Sequence, residues 1–475
     1  MTILATISHA DAGLTALLAA VLAADLRPGD CIRLEGDLGA GKSHFARALI
    51  RARLRDPMAE VPSPSFTLVQ AYDDPDGVPI WHADLYRLSD PAELDELGLD
   101  EALPQAITLV EWPDRADSLP DDALTVSLSP GRDHDHRQIT LSGPVGRWPS
   151  IARAVEVAVL LHRNGWADAQ VFPLAGDASA RRYFRLLGPG AGDRAVLMDA
   201  APGSCGPYMA MTDWLRGHGF AAPRLLVRDA AAGLLLMQDF GDDLVARVCD
   251  RQPQMAGPVH DRITDLLVDL HRHPAPGFVP VLDGPVLADQ VGLFAQCYLP
   301  AIGLDAGRGP AIAAAVADLW QQLCADQPAV VALRDFHAEN IVWRGGKPLG
   351  LLDFQDAVAT HPAYDLVSVL QDVRRDIPPA LEAAQIARYL AATGLDADRF
   401  RAAYALLGAQ RNLRIMGIFA RLCRQDGKPR YLAFMPRTWA LIRRDLAHPA
   451  LAPLAGLLAD LPDPTPQMIE RIAHG

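Results

Sequence analysis

The sequence predicts an α/β P-loop NTPase domain followed by a bilobal α+β domain of protein-kinase-like type, and three observations predict it. Near one end, Gly36-Asp37-Leu38-Gly39-Ala40-Gly41-Lys42-Ser43 matches the phosphate-binding pattern GxxxxGK[ST]. Far downstream, Arg334-Asp335-Phe336-His337-Ala338-Glu339-Asn340 has the D-x-x-x-x-N spacing of a kinase catalytic loop. It is followed by Leu351-Leu352-Asp353, an apolar run closed by an aspartate of the metal-binding kind. Between the two, Ser142 to Ser150 combines Gly and Pro without periodicity, and the texture changes across it. Each motif set supplies its own phosphate and Mg²⁺ contacts, so no single nucleotide site needs both. Two ATP-using modules in one polypeptide follow, over residues 1–145 and 151–475.

Each element has its own signal. Asp11–Ala24 is Ala/Leu-rich and reads as an amphipathic helix, too short to span a bilayer. Cys31–Leu34 is a short apolar strand leading into the Gly-rich loop, and Phe45–Leu54 continues with helical spacing. Val78–Ala83 and Ile107–Val110 are further strands, each ending at an acidic residue. That is the pattern of a parallel sheet with its functional residues at strand ends. In the second module a strand-rich section precedes a long helix-rich one, giving a small lobe over residues 151–240 and a large lobe over 241–475.

Composition narrows the class. A chain of 475 residues suits two or three domains, and 50% hydrophobic with 21% charged residues is an ordinary globular balance. The cysteines at 31, 205, 249, 297, 324 and 423 show no CxxC pair or zinc spacing and read as reduced thiols of a cytoplasmic protein. No basic stretch precedes an apolar run at the start, so neither a signal peptide nor a membrane segment is expected. A net charge of −14 argues against a nucleic-acid surface spread over the chain, and no direct nucleic-acid contact is expected. Lysine occurs only at 42, 347 and 428, and one of these sits in the phosphate loop.

A Gly-rich loop of this kind works because backbone N–H groups and a helix N-terminus converge on phosphate oxygens. Gly36, Gly39, Gly41, Lys42 and Ser43 are therefore read as ATP contacts, with the Ser43 hydroxyl also on Mg²⁺. Asp84 stands where a carboxylate would hold Mg²⁺, with turn capping as the alternative. Glu111, before Trp112, either positions an attacking water, joins the metal shell, or is a solvated strand end.

In the second module Asp335 is the candidate base for an acceptor hydroxyl. Asn340 and Asp353 are the candidate Mg²⁺ ligands. Asp365 is read as an anchor for the catalytic loop and His337 as a scaffold residue, while Asp356 either binds substrate hydroxyls or supports the site from behind. Gly176–Arg185 reads as a turn between strands forming a lid over ATP, with Ser179, Arg181 and Arg182 as its contacts, the two arginines being equally consistent with solvated strand residues. The next strand, Val196–Asp199, carries no lysine, so guanidinium groups are the substitutes for the usual phosphate-pairing ammonium. Leu235–Phe240, with Asp239, reads as a hinge suited to holding adenine.

Four ordered motifs resemble the TsaE family, the ATPase subunits of the bacterial machinery that makes threonylcarbamoyladenosine in tRNA. They are Gly36–Ser43, Ser63–Val69, His82–Leu88 and Glu111-Trp112-Pro113, within residues 2–141. The resemblance implies Ser65 and Thr67 on a switch-like loop near the γ-phosphate, Asp84 at Mg²⁺, and Glu111 with Trp112 at the nucleotide. It also implies partnership with the TsaD- and TsaB-like subunits of that machinery. Two positions depart from the pattern: His44 stands where a second Thr is common, and Ser65 where Thr is usual.

The second half resembles the aminoglycoside phosphotransferase superfamily, and within it the AmgK-type kinases of N-acetylmuramate and N-acetylglucosamine. The residues responsible are Asp177–Arg185, Val196–Pro202, Arg334–Asn340, Leu351–Ala357, Gln410–Arg414, Gly417–Leu422 and Asp426–Tyr431. The resemblance implies phosphorylation of a small amino sugar at its anomeric hydroxyl, as in cell-wall recycling. The expectation is thus a cytoplasmic bifunctional ATP- and Mg²⁺-using protein. The alternatives are another hydroxylated acceptor (choline, homoserine or an aminoglycoside) or a first module that serves only as a nucleotide-binding scaffold.

Overall fold

The computed structural model describes residues 1–88, 98–116, 118–174, 181–190 and 192–474. They divide into two compact units, Met1–Cys205 with Arg224–Asp239, and Gly206–Pro223 with Phe240–Gly475.

The first unit begins with β1 (Thr2–Ala10), α1 (Ala12–Ala23), β2 (Cys31–Glu35), α2 (Lys42–Leu54), β3 (Val69–Asp73) and β4 (Pro79–Asp84). It continues with β5 (Ile107–Glu111), β6 (Leu124–Pro130) and β7 (Arg137–Gly143). These strands form one sheet in the order β1-β7-β6-β2-β5-β4-β3. The three strands legible in the sequence, β2, β4 and β5, are neighbours paired in parallel, with β6 parallel on the other side of β2. All five residues of β5 are buried, which explains its continuous apolar run. β1 is largely exposed and interleaves polar residues, so its pattern is weak in the sequence. Asp11 caps α1, its carboxylate accepting the Leu14 N–H at 2.8 Å, which contributes about 1 kcal/mol.

The same unit contains α3 (Ile151–Arg163) and a second, antiparallel sheet. Its strands are β8 (Gln170–Leu174), β9 (Arg182–Leu187), β10 (Arg194–Asp199), β11 (Leu225–Asp229) and β12 (Leu234–Gln238), in the order β11-β12-β10-β9-β8. The Ser142–Ser150 stretch separates the two sheets but not two cores. Leu14, Leu17 and Leu18 of α1 share one apolar cluster with Ala154, Val157 and Leu161 of α3 and with Phe184 and Leu197 beyond. Polar ties cross the same seam. His162 Nε2 lies 2.9 Å from Asp11 Oδ2, and the Arg182 guanidinium spans Asp25 at 2.6 Å and Asp199 at 2.6 Å. Arg153 holds the other Asp199 oxygen at 2.7 Å.

The second unit is mostly helical: α4 (Gly206–Gly217), α5 (Ala256–Leu270), α6 (Gly284–Leu293), α7 (Gly309–Leu323), α8 (Ala363–Leu370), α9 (Pro379–Thr393), α10 (Ala397–Asp426) and α11 (Met435–Leu446). Two short antiparallel pairs interrupt it, Val330–Ala332 with Val358–Thr360 and Ile341–Val342 with Gly350–Leu351. The 30-residue α10 packs on α6, α8 and α11. Gly417 permits its closest approach, because a Cβ there would overlap the Leu293 backbone. No helix of the described residues is long and apolar enough to cross a membrane.

The shared core has a measurable consequence. A fragment starting at Ile151 exposes the face of α3 that packs on α1, including Val157 and Leu161. With each such side chain contributing roughly 1.5–3 kcal/mol, the fragment should melt about 5 °C or more below the full chain. Calorimetry of the two side by side checks this, and equal melting temperatures would show the seam to be energetically idle.

Candidate active sites

The first site is built where the parallel strands end. After β2 the chain turns through Gly36, where φ is +139° and a Cβ would overlap the Leu128 carbonyl, so only glycine fits. Gly39 and Gly41 also hold left-handed backbone, at +77° and +109°. This curls successive N–H groups toward the start of α2. A cavity of about 220 Å³ opens there, lined by Lys42, Ser43, Ser65, Asp84, Glu111 and Trp112 among others. Lys42 is buried, its ammonium donating to the Gly36 and Asp37 carbonyls at 2.6 and 3.0 Å and lying 3.8 Å from the centre of the Trp112 ring. Burial pushes its pKa down, with Glu111 and Asp84 opposing. An ammonium held by neutral carbonyls and an aromatic face is one that phosphate oxygens would attract.

Two carboxylates face that ammonium, each held by its own partners. Glu111, ending β5, accepts from the Ser43 hydroxyl at 3.0 Å and meets His82 Nε2 at 3.0 Å. Asp84, ending β4, accepts from the Ser63 and Ser65 hydroxyls at 3.0 and 2.6 Å and from the Tyr86 N–H at 3.1 Å. Parallel pairing of β4 with β5 sets Asp84 directly beside Glu111 in register. Ser43, Asp84 and Glu111 are hard oxygen donors around the phosphate loop, and one or two carboxylates plus phosphate oxygens suit Mg²⁺. Ser65 thus joins the site, whereas Thr67 is exposed and is not among the residues lining the cavity. His82 and Ser63 were not singled out by sequence reasoning. His82 carries a weak signal, since alternation along β4 puts it on the opposite face from Ala83 and two residues before Asp84.

In the second unit a strained turn presents the candidate catalytic loop. Arg334 has φ of +72°, and its N–H and that of Leu333 donate to the two Asp365 carboxylate oxygens at 3.0 and 2.5 Å. Asp365 is fully buried, and desolvation raises its pKa to about 7 against those two donors. It is an anchor, as expected. Asp335 follows, open to solvent at its tip. Desolvation is still the main cause that raises its carboxyl, with Asp353 adding and Arg334 and Arg411 opposing. The Asn340 side-chain N–H donates to the Asp335 carbonyl at 2.9 Å, which leaves its amide oxygen for a cation. The Ile341–Leu351 pairing then returns the chain, Leu352 donates to the Asn340 carbonyl at 2.9 Å, and Asp353 comes next with φ of +54°. Gln355 donates to Asp353 at 2.9 Å and to Asp356 at 3.2 Å. No group of three or more His, Cys, Asp or Glu able to hold a metal occurs among the described residues, so a cation here would take much of its shell from the nucleotide.

The small-lobe candidates fare differently. Ser179 lies outside the described residues. Arg182 is spent on Asp25 and Asp199, and Asp239 is ion-paired with Arg185 at 2.8 Å and Arg194 at 3.2 Å. Arg181 precedes β9 and is partly buried.

Removing the anchor should be costly. Asp365→Ala leaves two backbone N–H groups without acceptors at a strained turn, a loss of about 2–4 kcal/mol. Chemical denaturation measures it, and an unchanged midpoint would show that the loop holds itself.

Comparison with known proteins adds the family. Residues 9–139 match the sequence family described as threonylcarbamoyl adenosine biosynthesis protein TsaE, and residues 171–404 match the phosphotransferase enzyme family. An N-acetylmuramate/N-acetylglucosamine kinase of Caulobacter vibrioides is 37% identical over 64% of this chain and 95% of its own length. Its counterpart in Pseudomonas aeruginosa is 35% identical over 63% and 91%. At the other end, the tRNA threonylcarbamoyladenosine biosynthesis protein TsaE of Rickettsia bellii is 45% identical over 20% of this chain and 64% of its own length. This chain belongs to the family of the N-acetylmuramate/N-acetylglucosamine kinases, and it carries a TsaE domain ahead of the kinase.

Proposed function

We propose that the second module transfers the γ-phosphoryl group of ATP to the anomeric hydroxyl of N-acetylmuramate and N-acetylglucosamine. We further propose that the first is the ATP-hydrolysing subunit of a cytoplasmic assembly that makes threonylcarbamoyladenosine in tRNA, with TsaD- and TsaB-like proteins as its partners. The observation that carries the kinase reading is the Asp335, Asn340 and Asp353 set on a chain that matches 95% of the Caulobacter kinase.

The chemistry follows from those residues. Asp335 orients the acceptor hydroxyl and takes its proton as the oxygen bonds to the γ-phosphorus. The bond from that phosphorus to the β–γ bridging oxygen breaks, and ADP leaves. Asn340 and Asp353 would hold Mg²⁺, which supplies charge neutralisation at the phosphates. An anomeric hydroxyl is more acidic than an ordinary alcohol, so late proton transfer to a carboxylate suffices. In the first module Lys42 and the loop amides hold the phosphates, Ser43 and Asp84 would hold Mg²⁺, and Glu111 directs water, a role its contacts with Ser43 and His82 support.

Both N-acetylhexosamines should be phosphorylated while their 1-O-methyl glycosides are not, and phosphorus NMR should show coupling to the anomeric proton. Asp335→Asn should lower kcat by about 10²–10⁴-fold with ATP still bound. A 6-phosphate product, turnover of the glycosides, or preference for choline or an aminoglycoside would refute the assignment. A Lys42→Ala chain should lose one of two nucleotide-binding events in calorimetry and keep sugar phosphorylation, because the ammonium touches only its own loop and Trp112. Loss of sugar turnover in that folded variant would mean that the two sites are not independent.

A further inference from the structure

Helix α10 passes the catalytic loop carrying Arg411 and Arg414, three residues apart and so on one face. Both act on Asp335 electrostatically, as Arg334 does from the loop itself. The charges acting on Asp335 thus include Arg334 and Arg411 as well as the carboxylates of Asp353 and Asp356, and Asp335 in turn acts on Arg414. Arg411 Nη1 is buried without a hydrogen-bond partner, and no hydrogen bond or ion pair among the described residues holds either side chain of α10. Desolvation lowers the pKa of Arg414, and the neighbouring Arg334 and Arg411 lower it further, against Tyr364 and Asp335.

An arginine nitrogen withdrawn from water without an acceptor is costly. The surrounding carboxylates do not answer it. Asp365 is committed to two backbone amides, and Asp353 and Asp356 share Gln355. The strongest charges acting on Arg414 include Asp335, on the acceptor side of the reaction, but not the metal-side Asp353. Arg414 is thus coupled to the group that meets the acceptor rather than to the metal side. Of the two sugars in the proposed reaction, N-acetylmuramate carries a carboxylate on its lactyl ether and N-acetylglucosamine does not. A guanidinium fork matches a carboxylate in two parallel hydrogen bonds.

We propose that Arg411 and Arg414 form an anion subsite of the acceptor pocket, one that receives the carboxylate of an acidic N-acetylhexosamine. The proposal rests on the sugar-kinase reading and assigns that site its selectivity.

The test measures kcat/KM for both sugars with the full chain and its Arg411→Gln and Arg414→Gln variants. The ratio of N-acetylmuramate to N-acetylglucosamine efficiency should fall by about 10–100-fold, mainly through KM for the acidic sugar. Arg411→Lys, which keeps the charge but not the fork, should lie between. A purely structural defect depresses both sugars together, so an unchanged ratio overturns the subsite even if the variants are slow. Wild-type turnover of neither sugar defeats the sugar-kinase reading itself, and the subsite with it.

Discussion

Charge taken out of water must be answered by an opposite charge or a hydrogen bond, and both sites are built around that constraint. At the phosphate loop the answer is local: Lys42 rests on two carbonyls and an indole, and its facing carboxylates are held by Ser43, His82, Ser63 and Ser65. At the catalytic loop the buried Asp365 takes two amides, and this is what keeps the left-handed turn at Arg334 in place and Asp335 at its crest. Without those partners the turns would relax.

The two sites use backbone geometry differently. The phosphate loop spends glycines on left-handed conformations, because its N–H groups have to point inward and its Gly36 has to clear the Leu128 carbonyl. The catalytic loop places non-glycine residues, Arg334 and Asp353, in the same region of backbone space, at a cost of about 1–2 kcal/mol each. That strain persists because hydrogen bonds to Asp365 on one side and the short Ile341–Leu351 pairing on the other over-determine the turn.

The polypeptide also joins what its motifs keep apart. Helix α3 belongs by sequence to the kinase half, yet its apolar face lies in the same core as α1 of the phosphate-loop half. Arg182, which stands in the lid segment by sequence, is shared between Asp25 of one half and Asp199 of the other. Each half thus buries surface that would otherwise face water.

Much of this was legible in the sequence. Of the parallel strands, β5 is buried throughout and reads as a nearly continuous apolar run, while β2 and β4 stay legible although Arg33 and His82 interrupt them. The phosphate loop and Asp335–Asn340 are contiguous segments whose chemistry is set by local spacing. Strands β1, β3, β6 and β7 lie toward the ends of that sheet, where exposed faces admit polar residues and the period blurs. What only the tertiary structure decided is pairing over distance: His82 with Glu111, Asp365 with the loop amides, and Asp25 with Arg182. A local spacing constrains residues on one turn or one strand. The partner of a buried charge is chosen by packing of elements far apart in the chain, and no local pattern records that choice.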